Sequence, residues 1–320
     1  MPYISKWFQQ KRAAISLRFD DSSTSHVKTA IPLLNQYGLK GTFMINPGRI
    51  EYQKLRKFWE QDLLKMGHDM GNHTWNHRGA RTLEEANREI GSVAHLIWKL
   101  RPQTSKLMVF ASGGGEKWGG KKWSQTTSDY WEIAAKYHLI DLYDGKHPSY
   151  QCDSRKNGYV LKELAESAIE RGAHQPFHFH EIHQPFITLK GIARAVLNGY
   201  DLAFRASDLD FFLCYLSINR EVVWIAPIID ILKYESEYNG ARLSILSHNR
   251  HEILLQLVVS TDAKLFDHPL TLVIPGPQPA WVRQKINGNH HDVHFAANGK
   301  LSYADIYPED SDIHIQYGSD

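Results

Sequence analysis

Apolar and polar residues alternate over positions 14–20, with Ile15, Leu17 and Phe19 on one side and Ser16, Arg18 and Asp20 on the other. This pattern predicts a strand whose end delivers the acidic pair Asp20-Asp21. The period then changes to that of a helix. Ser23 and Ser25 stand where a cap belongs, Val27, Ala30, Ile31 and Leu34 form a stripe, and Gly38 ends it. A strand over 41–45 and a helix over about 52–65 follow. Thr82-Leu83-Glu84-Glu85 has capping-box spacing, and Ala86, Ile90, Val93 and Ile97 continue one helical face. The alternation runs on through strands at 107–110 and 138–142, helices at 129–137 and 160–171, and a strand from Pro176 to polar residues at its end. Helices at 187–198 and 207–216 and a buried strand at 222–225 complete it.

Repeated strand–helix units with polar residues at several strand ends predict an α/β fold, a barrel of parallel strands with a site at their C-terminal mouth. Its end is placed near Tyr238, giving a first domain of residues 1–238. Beyond Asn239-Gly240, short apolar runs separated by turn residues predict a small C-terminal all-β domain, residues 239–320, of sandwich type.

One short polar run, Gly67-His68-Asp69-Met70-Gly71-Asn72-His73-Thr74-Trp75-Asn76-His77, stands out from this scaffold. It places His73 and His77 at i and i+4, able to converge on one ion if a helix starts there. The acidic pair Asp20-Asp21 is the best source of a third ligand, and His180, at another strand end, adds a further polar group. Two His and one Asp would leave positions on a first-row divalent ion for water and a substrate oxygen.

Composition narrows the classes. The 320 residues, 42% hydrophobic and 22% charged, suffice for a large core and a smaller second unit. A net charge of +2 with interspersed signs offers no basic field for nucleic acid. No stretch has the length of a membrane span, and Met1-Pro2-Tyr3-Ile4-Ser5-Lys6 lacks the apolar run of a signal peptide. The expectation is a cytoplasmic chain as given, or a secreted or periplasmic one whose leader has been removed. Cys152 and Cys214 allow one disulfide that a core of this size does not need. The sequence carries no signal for oligomeric state.

Three other features have two readings each. Gly113-Gly114-Gly115 and Gly119-Gly120 lack phosphate-loop spacing and read as a rim loop. Trp118 and Trp123 in that loop are either sugar-facing platforms or hydrophobic anchors. His290-His291-x-x-His294 lies in a Gly/Asn-rich turn without an acidic or Cys partner and reads as surface histidine.

The segments Ser16-Leu17-Arg18-Phe19-Asp20-Asp21 and Gly71-Asn72-His73-Thr74-Trp75-Asn76-His77 resemble the first two motifs of the NodB-homology polysaccharide deacetylases, carbohydrate esterase family 4. The resemblance covers about residues 12–232 and implies a distorted NodB-type (β/α) barrel. It also implies Asp20 as general base, and Asp21, His73 and His77 as ligands of zinc or a similar divalent metal. His180 is the implied general acid, from Phe179-His180, with His178 as the fallback. The implied activity is metal-dependent removal of N-acetyl groups from an amino-sugar glycan, and the implied partner is an N-acetylated glycan or oligosaccharide. Two other functions stay open: hydrolysis of a linear C–N amide in a non-polymeric substrate, and carbohydrate binding without turnover.

The family's third motif, usually Arg-Pro-Pro-Tyr, is replaced here by Phe110-Ala111-Ser112-Gly113, and its base-orienting arginine is missing. Arg18, two residues before Asp20 on the same face of an extended strand, is expected to reach the base instead. A backbone N–H in the loop after Phe110 is expected to hold the oxyanion. Asp141, Asp144 and Asp153 are candidates for the family's acidic partner of the acid histidine. Ser22 replaces the usual Gly after the acid pair.

Overall fold

The computed structural model describes residues 1–113, 116–143, 148–183 and 201–318. The helix expected over 187–198, the candidate Asp144, His147 in the same polar loop, and Gly114 and Gly115 lie outside the described residues. The chain divides into two compact units, Ala13–Ile229 and Met1–Arg12 with Asp230–Asp320.

The first unit is an α/β fold with a curled, half-barrel parallel sheet. Its strands are β1 (Ala13–Phe19), β2 (Thr42–Ile45), β3 (Asp69–Asn72), β4 (Met108–Phe110), β5 (Leu139–Asp141), β6 (Tyr150–Cys152), β7 (His174–Phe179) and β8 (Val223–Ile225). They lie in the order β5-β4-β3-β2-β1-β7-β6, and β8 pairs with the start of β1. Along one edge β1 pairs with β7 from Ala14 to Phe19; its other edge meets β8 first and β2 at Arg18 and Phe19. All seven of its residues are buried, so the alternation in sequence does not separate a wet face from a dry one. A central strand of a parallel sheet is covered on both faces. Its polar side chains are therefore matched internally, Ser16 Oγ to His174 Nε2 at 2.9 Å and Arg18 to Asp20.

The C-terminal ends of the three central strands rest on an aromatic layer. Phe19 stacks on Phe43 at 4.9 Å and on Phe179 at 5.1 Å, each its register neighbour on β2 and β7. Such pairs are worth about 0.5–1.5 kcal/mol beyond their burial. They fix the height at which Asp20 leaves the sheet.

The connecting helices follow the apolar stripes. Helix Leu83–Leu100 begins at Thr82, whose hydroxyl accepts from Glu85 N at 3.2 Å, and it buries Ala86, Ile90, Val93 and Ile97. Helix Ser128–Lys136 stands where 129–137 is expected, helix Gly158–Arg171 where 160–171 is expected, and helix Ala206–Ile218 where 207–216 is expected. Two expectations change. The helix over 52–65 is two short helices, Ile50–Lys54 and Arg56–Gln61, and a turn at Leu64–Met66. The polar stretch before Asp153 holds strand β6, too short at three residues to show a period. Among the described residues no helix is long and apolar enough to cross a membrane, and both cysteines are free.

The second unit is mostly antiparallel β-structure. A four-stranded sheet joins Tyr3–Ile4, Leu270–Pro275, Leu301–Ile306 and Phe295–Asn298. A five-stranded sheet joins Ala241–His248, Glu252–Val259, Ser311–Gln316, Trp281–Ile286 and Asn289–Val293. The first residues of the chain thus group with its last ones, because Tyr3 and Ile4 pair with Val273 and Leu272.

Candidate metal centre and active site

Asp20 follows β1 directly, its N–H donating to Phe179 O at 2.9 Å. The next two residues turn sharply: Asp21 has φ 78° and Ser22 φ 50°, both left-handed. This conformation favours glycine. Here Ser22 holds it with its hydroxyl, which accepts from Asn46 N at 2.9 Å. The turn separates the two carboxylates, so that Asp20 faces Arg18 and Asp21 faces the imidazoles.

The histidine run does not start a helix, which corrects the expectation from its i, i+4 spacing. Beyond β3 the chain turns through Thr74 at φ 67° and His77 at φ 57°. The cause is local. Asn72 Oδ1 accepts from Thr74 N and Thr74 Oγ1 accepts from His77 N, each at 3.1 Å, and such side-chain bonds compete with helical backbone bonds. Asn46 completes the turn by donating from Nδ2 to the carbonyls of His73 and Thr74.

The turn brings the imidazoles together all the same. Asp21 Oδ1 lies 3.2 Å from His77 Nε2 and 3.6 Å from His73 Nε2. The three donor atoms lie within 4.8 Å of one another, the one such group of His, Cys, Asp or Glu among the described residues. This cluster can coordinate a divalent metal, and the second bonds of its imidazoles fit that use. His73 Nδ1 donates to Ala111 O at 2.7 Å, which leaves Nε2, on the side of Asp21, as the atom that would take a metal ion in place of a proton. His77 Nδ1 lies 3.6 Å from Glu116 Oε1. Arg49 Nη1 reaches Asp21 Oδ1 at 3.2 Å.

The charges reflect this crowding. Burial works against ionising Asp21, yet its bond to His73 and the neighbouring imidazoles hold it well below the usual carboxylate range. Burial also opposes protonation of His73, but Asp20 and Asp21 raise it to about 9. A proton on His73 therefore occupies a site of strong cation affinity. His77 is lowered by burial and by His73, and burial pushes Glu116 up to about 7.

Asp20 and Arg18 form a buried pair, Nη2 to Oδ2 at 2.9 Å, with both side chains 1% exposed. Burial favours the neutral acid, but the Arg18 guanidinium, with His73 and His180, lowers Asp20 to about 2. The other oxygen, Oδ1, is buried and has no hydrogen-bond partner among the described residues. Arg18 Nη2 also donates to Tyr143 OH at 3.3 Å.

His180 acts electrostatically on both Asp20 and Asp21. Its carbonyl is bonded by His26 Nε2, and its own Nδ1 is buried without a hydrogen-bond partner among the described residues. His178 is bonded through Nδ1 to Ser149 Oγ at 2.9 Å, and burial and Arg18 lower it to about 3. A histidine so lowered is neutral near pH 7, which disfavours the fallback acid.

Other candidates go elsewhere. Asp141 accepts from Trp123 Nε1 at 2.6 Å, and Asp153 pairs with Arg155 at 2.5 Å. The Ala111 N–H donates to Asn72 O, so an oxyanion donor would have to come from further along the loop. Trp118 and Trp123 are buried against each other at 5.0 Å and act as anchors. His290 and His291 are exposed on strand Asn289–Val293, and His294, also exposed, follows them.

Sequence reasoning missed Glu116, Tyr143, His26 and Asn46. Glu116 alone had a signal, an acid inside a glycine-rich run beside the proposed site. With Tyr143, Trp123 and Ser112 it lines a cavity of about 210 Å³.

Residues 9–130 match the family model described as polysaccharide deacetylase, a span that includes Asp20, Asp21, His73 and His77. The match covers 122 of the 320 residues, and over that span the chain is similar to polysaccharide deacetylases. His180 lies beyond the matched span.

A curated gellan lyase from Bacillus sp. is 21% identical over an alignment of 296 positions that covers 85% of this chain and 11% of that protein. The chain thus spans about a ninth of that relative's length. Among solved structures, a family 4 carbohydrate esterase from Streptomyces lividans in complex with acetate aligns at 14% identity and TM-score 0.41, over 69% of this chain and 95% of its own. The peptidoglycan deacetylase PdaC from Bacillus subtilis aligns at 15% and 0.37, over 69% and 90%. A CE4 family pseudoenzyme from Bacillus anthracis aligns at 16% and 0.36, over 62% and 65%.

Proposed function

We propose that the protein is a metal-dependent hydrolase that removes N-acetyl groups from an amino-sugar glycan. The observation that carries this reading is the pairing of two features at one strand end. Asp21, His73 and His77 offer one oxygen and two nitrogens to a divalent ion, and beside them Asp20 has one oxygen tied to Arg18 and the other without a hydrogen-bond partner among the described residues. Zinc suits such a donor set.

Asp21 Oδ1 and the Nε2 atoms of His73 and His77 would hold the ion, which when bound would supply Lewis-acid polarisation of the amide carbonyl and acidify water. Asp20 Oδ1 takes the proton from the attacking water, and Arg18 keeps that carboxylate ionised and aimed. A backbone N–H beyond Ala111 helps hold the oxyanion. His180 returns a proton to the leaving nitrogen, so that acetate and a free amine result.

The test is metal content and acetate release on a panel of N-acetylated glycans for the parent, Asp20→Asn and His73→Ala. We expect metal to persist in D20N and fall in H73A, with acetate release at least about 100-fold lower in both. One ion per chain with release only from small linear amides would move the substrate class. One ion without any release would leave a carbohydrate binder, and no ion under replete conditions would remove the site.

A further inference from the structure

We infer that Glu116 is the positioning residue for the metal ligand His77. Glu116 lies in the glycine-rich loop after β4, its side chain 1% exposed. It reaches His77 by two routes. Oε1 lies 3.6 Å from His77 Nδ1, an ion-pair distance on the side of the ring away from Asp21. The same Oε1 accepts from Thr74 Oγ1 at 3.1 Å, and that hydroxyl accepts from His77 N at 3.1 Å. Ring and backbone of the ligand are thus both referred to one buried carboxylate.

The loop is shaped for this approach. Glu116 N donates to Gly113 O at 3.1 Å, while its Oε1 faces Nδ1 of the His77 ring. A Cβ on Gly113 would stand 2.3 Å from His77 Cε1 and 2.8 Å from Glu116 Oε1, so glycine at 113 is what lets the loop lie this close. Each imidazole thus has an oxygen behind it. His73 has its Nδ1 held by Ala111 O and His77 has its Nδ1 facing Glu116, both from the same loop, and each presents Nε2 to Asp21. A carboxylate behind a ligating histidine sets the tautomer and raises the basicity of the coordinating nitrogen.

The inference rests on the metal-site reading above, and one titration separates the two. Metal affinity is measured by competition with a chromogenic chelator for the parent, Glu116→Gln and Glu116→Leu, together with the visible spectrum of the cobalt(II)-loaded proteins. We expect E116L to bind about 10–100-fold more weakly, E116Q to fall between it and the parent, and the cobalt bands of both to shift. Unchanged melting of the metal-free variants would accompany this, since the effect is on the ligand and not on the fold. If E116L fails to fold, E116Q carries the test. Affinity and cobalt spectrum equal to the parent in whichever variants fold would overturn the role of Glu116 while leaving the metal site standing. A parent that binds no metal would overturn both.

Discussion

Arg18 and Asp20 sit two positions apart on one strand, where side chains at i and i+2 share a face, so their pairing was legible from period alone. Tyr143, the other partner of Arg18, was not, because it lies 125 residues further along the chain. The pair is 1% exposed on both sides, which sets the consequence of breaking it. Arg18→Met leaves a buried carboxylate uncompensated and is expected to cost about 3–5 kcal/mol of stability. Without the guanidinium the Asp20 carboxyl titrates higher, so the acidic limb of the kcat/KM profile should move up in pH. Arg18→Lys keeps the charge but not the planar fork, and should fall between the two. An unshifted acidic limb in Arg18→Met would take Arg18 out of the mechanism.

The site is assembled by two turns and one loop rather than by regular elements, and this is where sequence patterns ran out. Spacing placed His73 and His77 together correctly but by way of a helix. The bonds from Asn72 and Thr74 make a left-handed turn instead, a competition that apolar periodicity does not report. The glycine-rich stretch after Phe110 was read as a rim, yet Ala111 offers the carbonyl behind His73 and Glu116 the carboxylate behind His77. Family resemblance showed which arginine this loop lacks, and nothing in the motif showed what it provides. Gly113→Ala tests that contribution as an element. Its Cβ would overlap the His77 ring, and the neighbour it meets is a ligand rather than a flexible chain end. We expect weakened metal binding with the metal-free melting temperature nearly unchanged. Parent-like affinity, measured by the same chelator competition, would show that the loop can retreat without disturbing His77.

At the scale of the whole molecule the strand–helix alternation was legible because each long element repeats a period. Pairings between distant short strands were not, as with β6 or with Tyr3 and Ile4, since two or three residues hold no pattern. Nor does any pattern announce that a histidine will be buried without charge. Among the described residues of the parallel-sheet unit, burial lowers His26 to about 4 and His68 to about 4, and burial with Arg18 lowers His178 to about 3. In the unfolded chain each titrates near 6.5. Below that pH the unfolded state binds protons that the folded state refuses, so stability present above about pH 6.5 is lost as pH falls towards 4. Each ring contributes a slope of about 1.4 kcal/mol per pH unit in that window. His73 is raised to about 9 and acts in the opposite sense, its contribution complete below about pH 6.5 and lost only as pH rises towards 9. It therefore does not offset the acid loss. Burial raises Glu116 to about 7 and Glu237 to about 8, and these carboxyls take up protons in the folded state over much of the same window, offsetting part of the loss. Melting of the metal-free protein should still fall between pH 6.5 and pH 4, by less than the three rings alone would give. His68→Gln keeps an acceptor for the Gly41 N–H, which donates to His68 Nδ1 at 3.2 Å, but cannot take up the proton. Its stability should fall less steeply than the parent's by about one ring's share, and parallel curves for the two proteins would mean that His68 is not buried neutral.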